Sequence, residues 1–311
     1  MEEAFPNPSR LPGPPVYRPW SKGVYQVAPA LRPFGTDFGN GRLDECVFQF
    51  DTDFDRYREN KRESGRRRSA YVGRRELEPH VAAAAAGFVA GRLSREHPSL
   101  FERRGARLCC RLTGDMVPLD GGLDTLDALL RNVQEDLCIV SVDGDRDWIS
   151  YVNVCAPSHW DPSTKLGLSF FDGHQIVPGF DRVNQGAKAL VDAMVHKGPW
   201  VRFVWGLETD DRLDHHPVAP SGVDGREWNG RAFHTRPFVA RYERQTLWGL
   251  PEAGAALFFI RVGFVRDREL ANDPALREAV LSMSPEARRY KGLEAEFEGL
   301  IRQFAPPEPA G

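Results

Sequence analysis

The chain has 311 residues, 41% hydrophobic and 27% charged, with a formal net charge of −3. That balance allows a substantial buried core and supplies no broad electrostatic drive toward nucleic acid or an anionic membrane. No stretch approaches the ~18 apolar residues of a membrane span, and the acidic, proline-rich start MEEAFPNPSRLPGPP does not read as a signal peptide, so a cytoplasmic protein is expected.

Residues 1–35 read as an irregular proline-rich arm with Tyr17, Trp20 and Tyr25 as aromatic anchors. FQFDTDFDRYRENKR (48–62) begins strand-like and turns helical, with Asp51, Thr52 and Asp53 as cap candidates. The basic run from Asn60 to Arg75 reads as a solvated surface or an acidic-partner contact, because its aromatic interleaving is too sparse for a nucleic-acid platform. Alanine, leucine and glutamate favour a helix over Glu76–His97, and Pro98 ends it. Leu108–Leu112 reads as a strand. In LDTLDALLRNVQEDL, Leu123, Leu126, Leu129, Leu130 and Val133 recur at three and four, which predicts a helix.

The period then changes. DLCIVSV and WISYVNVC are β-branched apolar runs around DGDRD and predict a hairpin. Ser158 or Asp161 can cap a short helix through PSTKLGLSFF, with Pro162 in its first turn. His174 follows at a helix-to-turn boundary, and VPG stops the segment. VRFVWGLE (201–208) is a further strand, and the long polar loop after it is functional or merely mobile. FVARYERQTLWGLP and GAALFFIRVGFV form a second hairpin around PEAG, and 273–304 is a helical tail. About five antiparallel strands interrupted by a helical crossover predict an α+β fold with added N- and C-terminal helices. A PAS-like sheet fits this order, as do other α+β sheets. The expected organisation is an arm over 1–35, a main domain with an N-terminal helical extension over 36–270, and a tail over 271–311.

The five cysteines, Cys46, Cys109, Cys110, Cys138 and Cys155, include no CxxC, and their mostly apolar flanks predict buried free thiols. No GxGxxG follows a strand and no four-cysteine cluster exists, so flavin and iron–sulfur centres are not expected in this chain.

Five stretches occur in one order: VQEDLCIV (133–140), PSHWDPSTKLG (157–167), HQIVPG (174–179), VRFVWGL (201–207) and YERQTLWGLPEAGAALFFIRV (242–262). In these the chain resembles the haem-dependent oxidative N-demethylases, the haem-binding subunit type of dimethylamine monooxygenase, over roughly residues 30–270. The resemblance implies a PAS-like fold holding haem b. It also implies O2-dependent oxidation of a methyl group on a small secondary amine, releasing formaldehyde, with electrons from a separate flavin and iron–sulfur reductase. The chain departs from the family pattern at Ala156, Gln175, Ile176 and Val204, which leaves the amine itself open. A haem-binding gas or redox sensor without turnover is the alternative, though no output segment is apparent.

The resemblance makes His174 the expected iron ligand, where the plain reading is a hydrogen-bonded histidine tying the turn. His234 is the second candidate, and Cys155 a weak thiolate candidate. His215 and His216, adjacent in a polar loop, are expected in solvent. Arg202 and Arg244 suit the haem propionates, or are ordinary strand ion pairs. Gln245 and Thr246 alternate along a strand, so one of them faces the pocket and can hydrogen-bond oxygen or the amine. Glu243 pairs with the substrate ammonium or with a surface cation. Trp160, Phe170 and Phe171 form an apolar wall, or plain core. The acidic stretch 208–214 and the basic run near Arg66–Arg68 are candidate contacts for the reductase.

Overall fold

A computed structural model describes residues 6–178 and 187–304, and it is an α+β fold. The first half contains β1 (Arg32–Pro33), α1 (Phe54–Ser64), α2 (Arg68–Tyr71), β2 (Val72–Arg74) and α3 (Pro79–Glu96). It continues through β3 (Phe101–Arg104), β4 (Arg107–Cys110), β5 (Met116–Pro118) and α4 (Leu123–Leu130). Then come β6 (Asp136–Asp143), β7 (Arg146–Asn153), α5 (Ala187–His196), β8 (Trp200–Glu208) and α6 (Gly225–Asn229). The chain closes with β9 (Val239–Leu250), β10 (Ala255–Val265), α7 (Pro274–Leu281), α8 (Pro285–Tyr290) and α9 (Phe297–Ile301).

Both predicted hairpins form and meet at the centre of the larger sheet. Its order is β1-β8-β9-β10-β6-β7-β2, with antiparallel neighbours throughout. β3, β4 and β5 make a separate small sheet. Side-chain alternation gives the large sheet two apolar faces. On β10, Leu257 and Phe259 join a core with Val89 and Leu93 of α3 and Leu126 and Leu129 of α4. Phe258 and Ile260 face the other way, into a cluster with Val191 and Met194 of α5. α5 seats directly on β9 at Gly249, where a Cβ would collide with the Val195 carbonyl oxygen. A third cluster joins Tyr17 and Trp20 of the arm to Tyr242 of β9 and to α7 and α9. Trp20 Nε1 donates to Asp273 (2.8 Å) and Tyr17 to Asp44 (2.6 Å), so the arm is tied to both its neighbours and the C-terminal helices.

Three local expectations differ. Phe48–Phe50 is buried but not in a strand; its backbone N–H groups are taken by the carboxylates of Glu96 and Glu135, not by a sheet. The helix expected through Leu137 ends at Leu130, because Gln134, Glu135 and Asp136 turn inward to partners far away in sequence. PSTKLGLSFF makes only a 3₁₀ turn at Pro162–Lys165, since Gly167 and Leu168 instead hydrogen-bond the Ile149 backbone of β7 (2.9 and 2.8 Å). The basic run is largely neutralised by its own neighbours, with Arg62 and Arg66 on Glu63 and Arg68 on Asp127. No helix among the described residues is long and apolar enough to cross a membrane.

Candidate active site

The α5-side face of the large sheet does not close completely. Between it, the segment from Ser158 to Val177 and the N-terminal arm lies a cavity of about 820 Å³, in the size range of cofactor sites. Val140 and Cys138 of β6, Ile149 of β7 and Phe258 and Ile260 of β10 form its apolar floor. Trp160 and Phe170 add aromatic wall. Phe171 packs against the same cluster but does not reach the cavity surface.

His174 lines this cavity at the end of a 3₁₀ turn, Asp172–His174. Its Nδ1 lies 2.6 Å from the Phe170 carbonyl oxygen, which can only accept, so Nδ1 carries the hydrogen and the lone pair resides on Nε2. The ring packs on Phe170 at 4.4 Å between centroids. Burial, with Arg202 and Lys165 adding like-charge repulsion, pulls the imidazole down to about 4, so it is neutral near pH 7. Of the HQIVPG motif, Gly179 lies outside the described residues.

Strand alternation sorts the ERQTL block. Glu243 and Gln245 line the cavity. Glu243 is 8% exposed and accepts from Ser158 Oγ (2.6 Å) and Gln245 Nε2 (2.7 Å). Gln245 Oε1 is buried without a partner. Arg202 of β8 also lines the cavity, and its buried Nε is unpartnered. Arg244 and Thr246 point to the opposite face. Arg244 donates to the Asp44 and Cys46 carbonyls (3.2 and 2.9 Å) and stacks near Phe34, so the expectation that it meets a ligand in this cavity is corrected. Thr246 is likewise off the cavity surface.

The other histidines also move. His234 is half-exposed, pairs with Glu296 (2.6 Å) and does not line the cavity, so it is no second ligand there. His215 and His216 are not in solvent; both are buried. His215 Nε2 donates to Asp210 (2.9 Å) while Arg241 donates to its Nδ1 (3.3 Å). His159 stacks on His215 and bonds Glu208 (2.8 Å). The 208–214 stretch is therefore largely occupied internally rather than offered to a partner. His159, Glu208 and His215 are close enough to hold a metal, as are Cys46, Glu96 and His97. The first group already has Arg231 and Arg241 as its cations, and the Glu96 carboxylate is taken by Arg92 and two backbone N–H groups.

Burial draws the His159 imidazole down to about 4 although Glu208 opposes it, and His215 moves in the same direction. The unfolded chain then takes up protons first as pH falls through 6.5. The protein should therefore lose stability between pH 6.5 and 4, on the order of 3 kcal/mol from His159 alone. Urea unfolding at stepped pH measures this, and His159→Gln should flatten the profile.

Sequence reasoning missed several cavity residues, Cys138, Lys165 and Lys291 among them. Cys138 lines the floor, where burial and the Asp136 carboxylate push its thiol far above the usual range, so it stays protonated. Cys155, the thiolate candidate, does not line the cavity, and burial pushes it up to about 12. Lys165, visible inside the PSTKLG motif, donates to the Gly173 carbonyl (2.7 Å). Lys291 enters from beyond the last quoted motif and carried no signal.

No curated protein matches the chain. The family model described as haem-dependent oxidative N-demethylase, alpha subunit-like, matches residues 42–298, a span that takes in both hairpins, the His174 turn and Lys291. The chain belongs to the haem-dependent oxidative N-demethylase, alpha subunit-like, family.

Proposed function

We propose that this chain binds haem b in the cavity, with its antiparallel sheet as a PAS-like cup, and serves as the oxygenase subunit for oxidative N-demethylation of a small secondary amine. The observation that carries the reading is His174: a neutral imidazole on the wall of a large, mostly apolar cavity, with the tautomer already set by Phe170. The remaining wall fits the group. Buried, unpartnered Arg202 Nε suits a propionate, and the apolar floor suits a porphyrin face.

When bound, haem supplies the reduction of O2 and the oxidation of the methyl group. The protein contributes position and polarity. His174 Nε2 offers its lone pair to the iron while the Nδ1–H bond fixes the ring's orientation. Glu243, held by Ser158 and Gln245, takes one N–H of a secondary ammonium, and the unpartnered Gln245 Oε1 takes the other. Trp160, Phe170 and Ile260 keep water from the methyl groups. Electrons are supplied by a separate reductase, since the five cysteines are dispersed and free.

Haem-loaded protein given dimethylamine, O2 and a reducing system should release formaldehyde in step with amine consumed. Reversible oxygen or CO binding with no formaldehyde from any small methylamine would overturn the enzymatic reading in favour of a sensor.

A further inference from the structure

The cavity has a charge that the protein as a whole lacks. Among the described residues its wall carries Arg18, Lys22, Arg32, Lys165, Arg202 and Lys291 against the single carboxylate of Glu243, in a chain of net charge −3. Such a collection is built for an anion. Arg202 and Lys291 share one wall carboxylate, Glu243, as their counter-charge. Arg18 pairs with Asp267 and Asp273, and Lys165 is held by a carbonyl. Arg202 and Lys291 make no ion pair or hydrogen bond with any described side chain, and both are buried well enough for burial to depress their protonation.

Lys291 is placed by a helix end. In RRYKGL, α8 stops where Gly292 takes a left-handed φ of +67°. Leu293 N–H reaches back to the Arg288 carbonyl (2.8 Å) and Gly292 N–H to that of Arg289 (2.9 Å), a Schellman closure that leaves Lys291 as the cap residue. Its stem passes over Gly206 of β8, and its ammonium lies 6.0 Å from the Tyr25 ring of the arm and 5.6 Å from that of Tyr290. Arg202 stands within electrostatic reach of His174 and of Lys291, and all three line the same cavity. Burying two cations against one shared carboxylate is costly unless a ligand brings further negative charge.

We infer that Lys291 is a carboxylate anchor of this cavity and forms, with Arg202, a two-cation clamp for the paired propionates of haem. The clamp rests on the haem reading above, but it adds a residue from the C-terminal helices and an arm-covered wall to the binding site. It also gives the helices after β10 a role in ligand retention.

Iron protoporphyrin IX and its dimethyl ester, which lacks the propionate charges, separate the possibilities in Soret titrations. Lys291→Met should weaken protoporphyrin binding about tenfold or more while leaving the dimethyl ester unchanged, and Lys291→Arg should restore the acid form. Unchanged affinity for both porphyrins would overturn the clamp while leaving the haem site standing. An equal loss for both would also overturn it, as the sign of a structural role for Lys291. Wild-type protein that takes up neither porphyrin would overturn the haem reading and the clamp together.

Discussion

Replacing His174 with alanine is expected to strip the protein of its ordinary Soret band and to weaken haem retention by about a hundredfold or more. Outer hydrogen-bond partners of metal ligands already account for ten- to a hundredfold in affinity, and the ligand itself carries at least that much. The expectation follows from three features that coincide at one ring. The Phe170 carbonyl holds Nδ1–H, so the lone pair is on Nε2. Burial, ahead of repulsion from Arg202 and Lys165, keeps the imidazole deprotonated down to about pH 4, so no proton competes at neutrality. Packing on Phe170 restrains the ring before any ligand arrives. The turn that carries His174 sits at the cavity edge, and most of the sheet core is independent of it, so the variant should remain folded. His174→Gly soaked with free imidazole should regain a Soret band close to that of the wild type. A His174→Ala protein with unchanged haem content and spectrum would remove His174 from the iron and return it to the role of a turn-tying histidine.

Much of the sheet was legible because strands write themselves locally. The runs in β6, β7, β9 and β10 alternate or continue apolar over whole elements, and short turn segments separate them. Alternation along β9 puts Gln245 on the cavity wall and Thr246 off it. What could not be read was which face a polar residue serves when its partner is distant. Arg244 and Arg202 look alike in sequence, yet one lies against the Asp44 and Cys46 carbonyls and the other on the cavity wall. His215 and His216 sit in a loop of polar composition and are nonetheless buried, because Asp210 and Arg241 engage His215 and the Tyr71 ring packs on His216 only in three dimensions. Lys291 lies some 90 positions from Arg202 and reaches the same cavity wall only because α8 ends against β8.

The same limit explains the most specific motifs. QEDL and FFIRV carry the family resemblance, and they invite a catalytic reading, but their charged members lie in the core rather than on the cavity. Arg261 of β10 is 2% exposed and pairs with Asp51, which is fully buried. Glu135 stands 3.9 Å from Arg261 Nε and accepts the backbone N–H of Gln49 (2.8 Å). Gln134 clasps Asp51 from both sides, accepting from its backbone N–H and donating to its carboxylate at 3.1 Å each. The Arg261 guanidinium covers the Tyr57 ring at 4.3 Å. This network fastens the Phe48–Asp53 segment and α1 to the central strands without sheet hydrogen bonds.

Asp51→Ala is therefore expected to destabilise the protein by about 3–5 kcal/mol, since it leaves the Arg261 charge buried with only Glu135 near it. Glu135 is a poor substitute partner: burial raises its carboxyl to about 7 against the pull of Arg261, so at neutral pH it carries only part of a charge. Asp51→Asn should cost less, because it keeps the hydrogen bonds to Gln134 and Asp53 while losing the charge. The decisive variant removes both ends of the pair. If the arginine is retained only because its partner is there, Asp51→Leu combined with Arg261→Met should recover much of the loss, as burial of two apolar side chains replaces two desolvated ions. Chemical unfolding of the four proteins gives the coupling directly. Simple additivity of the two single changes would mean that Asp51 and Arg261 do not act as a pair, and the motif would then need a role at the ligand after all. Strong coupling, with haem affinity preserved in the double variant, would place the FFIRV arginine in the frame that holds the cavity open and not in the chemistry inside it.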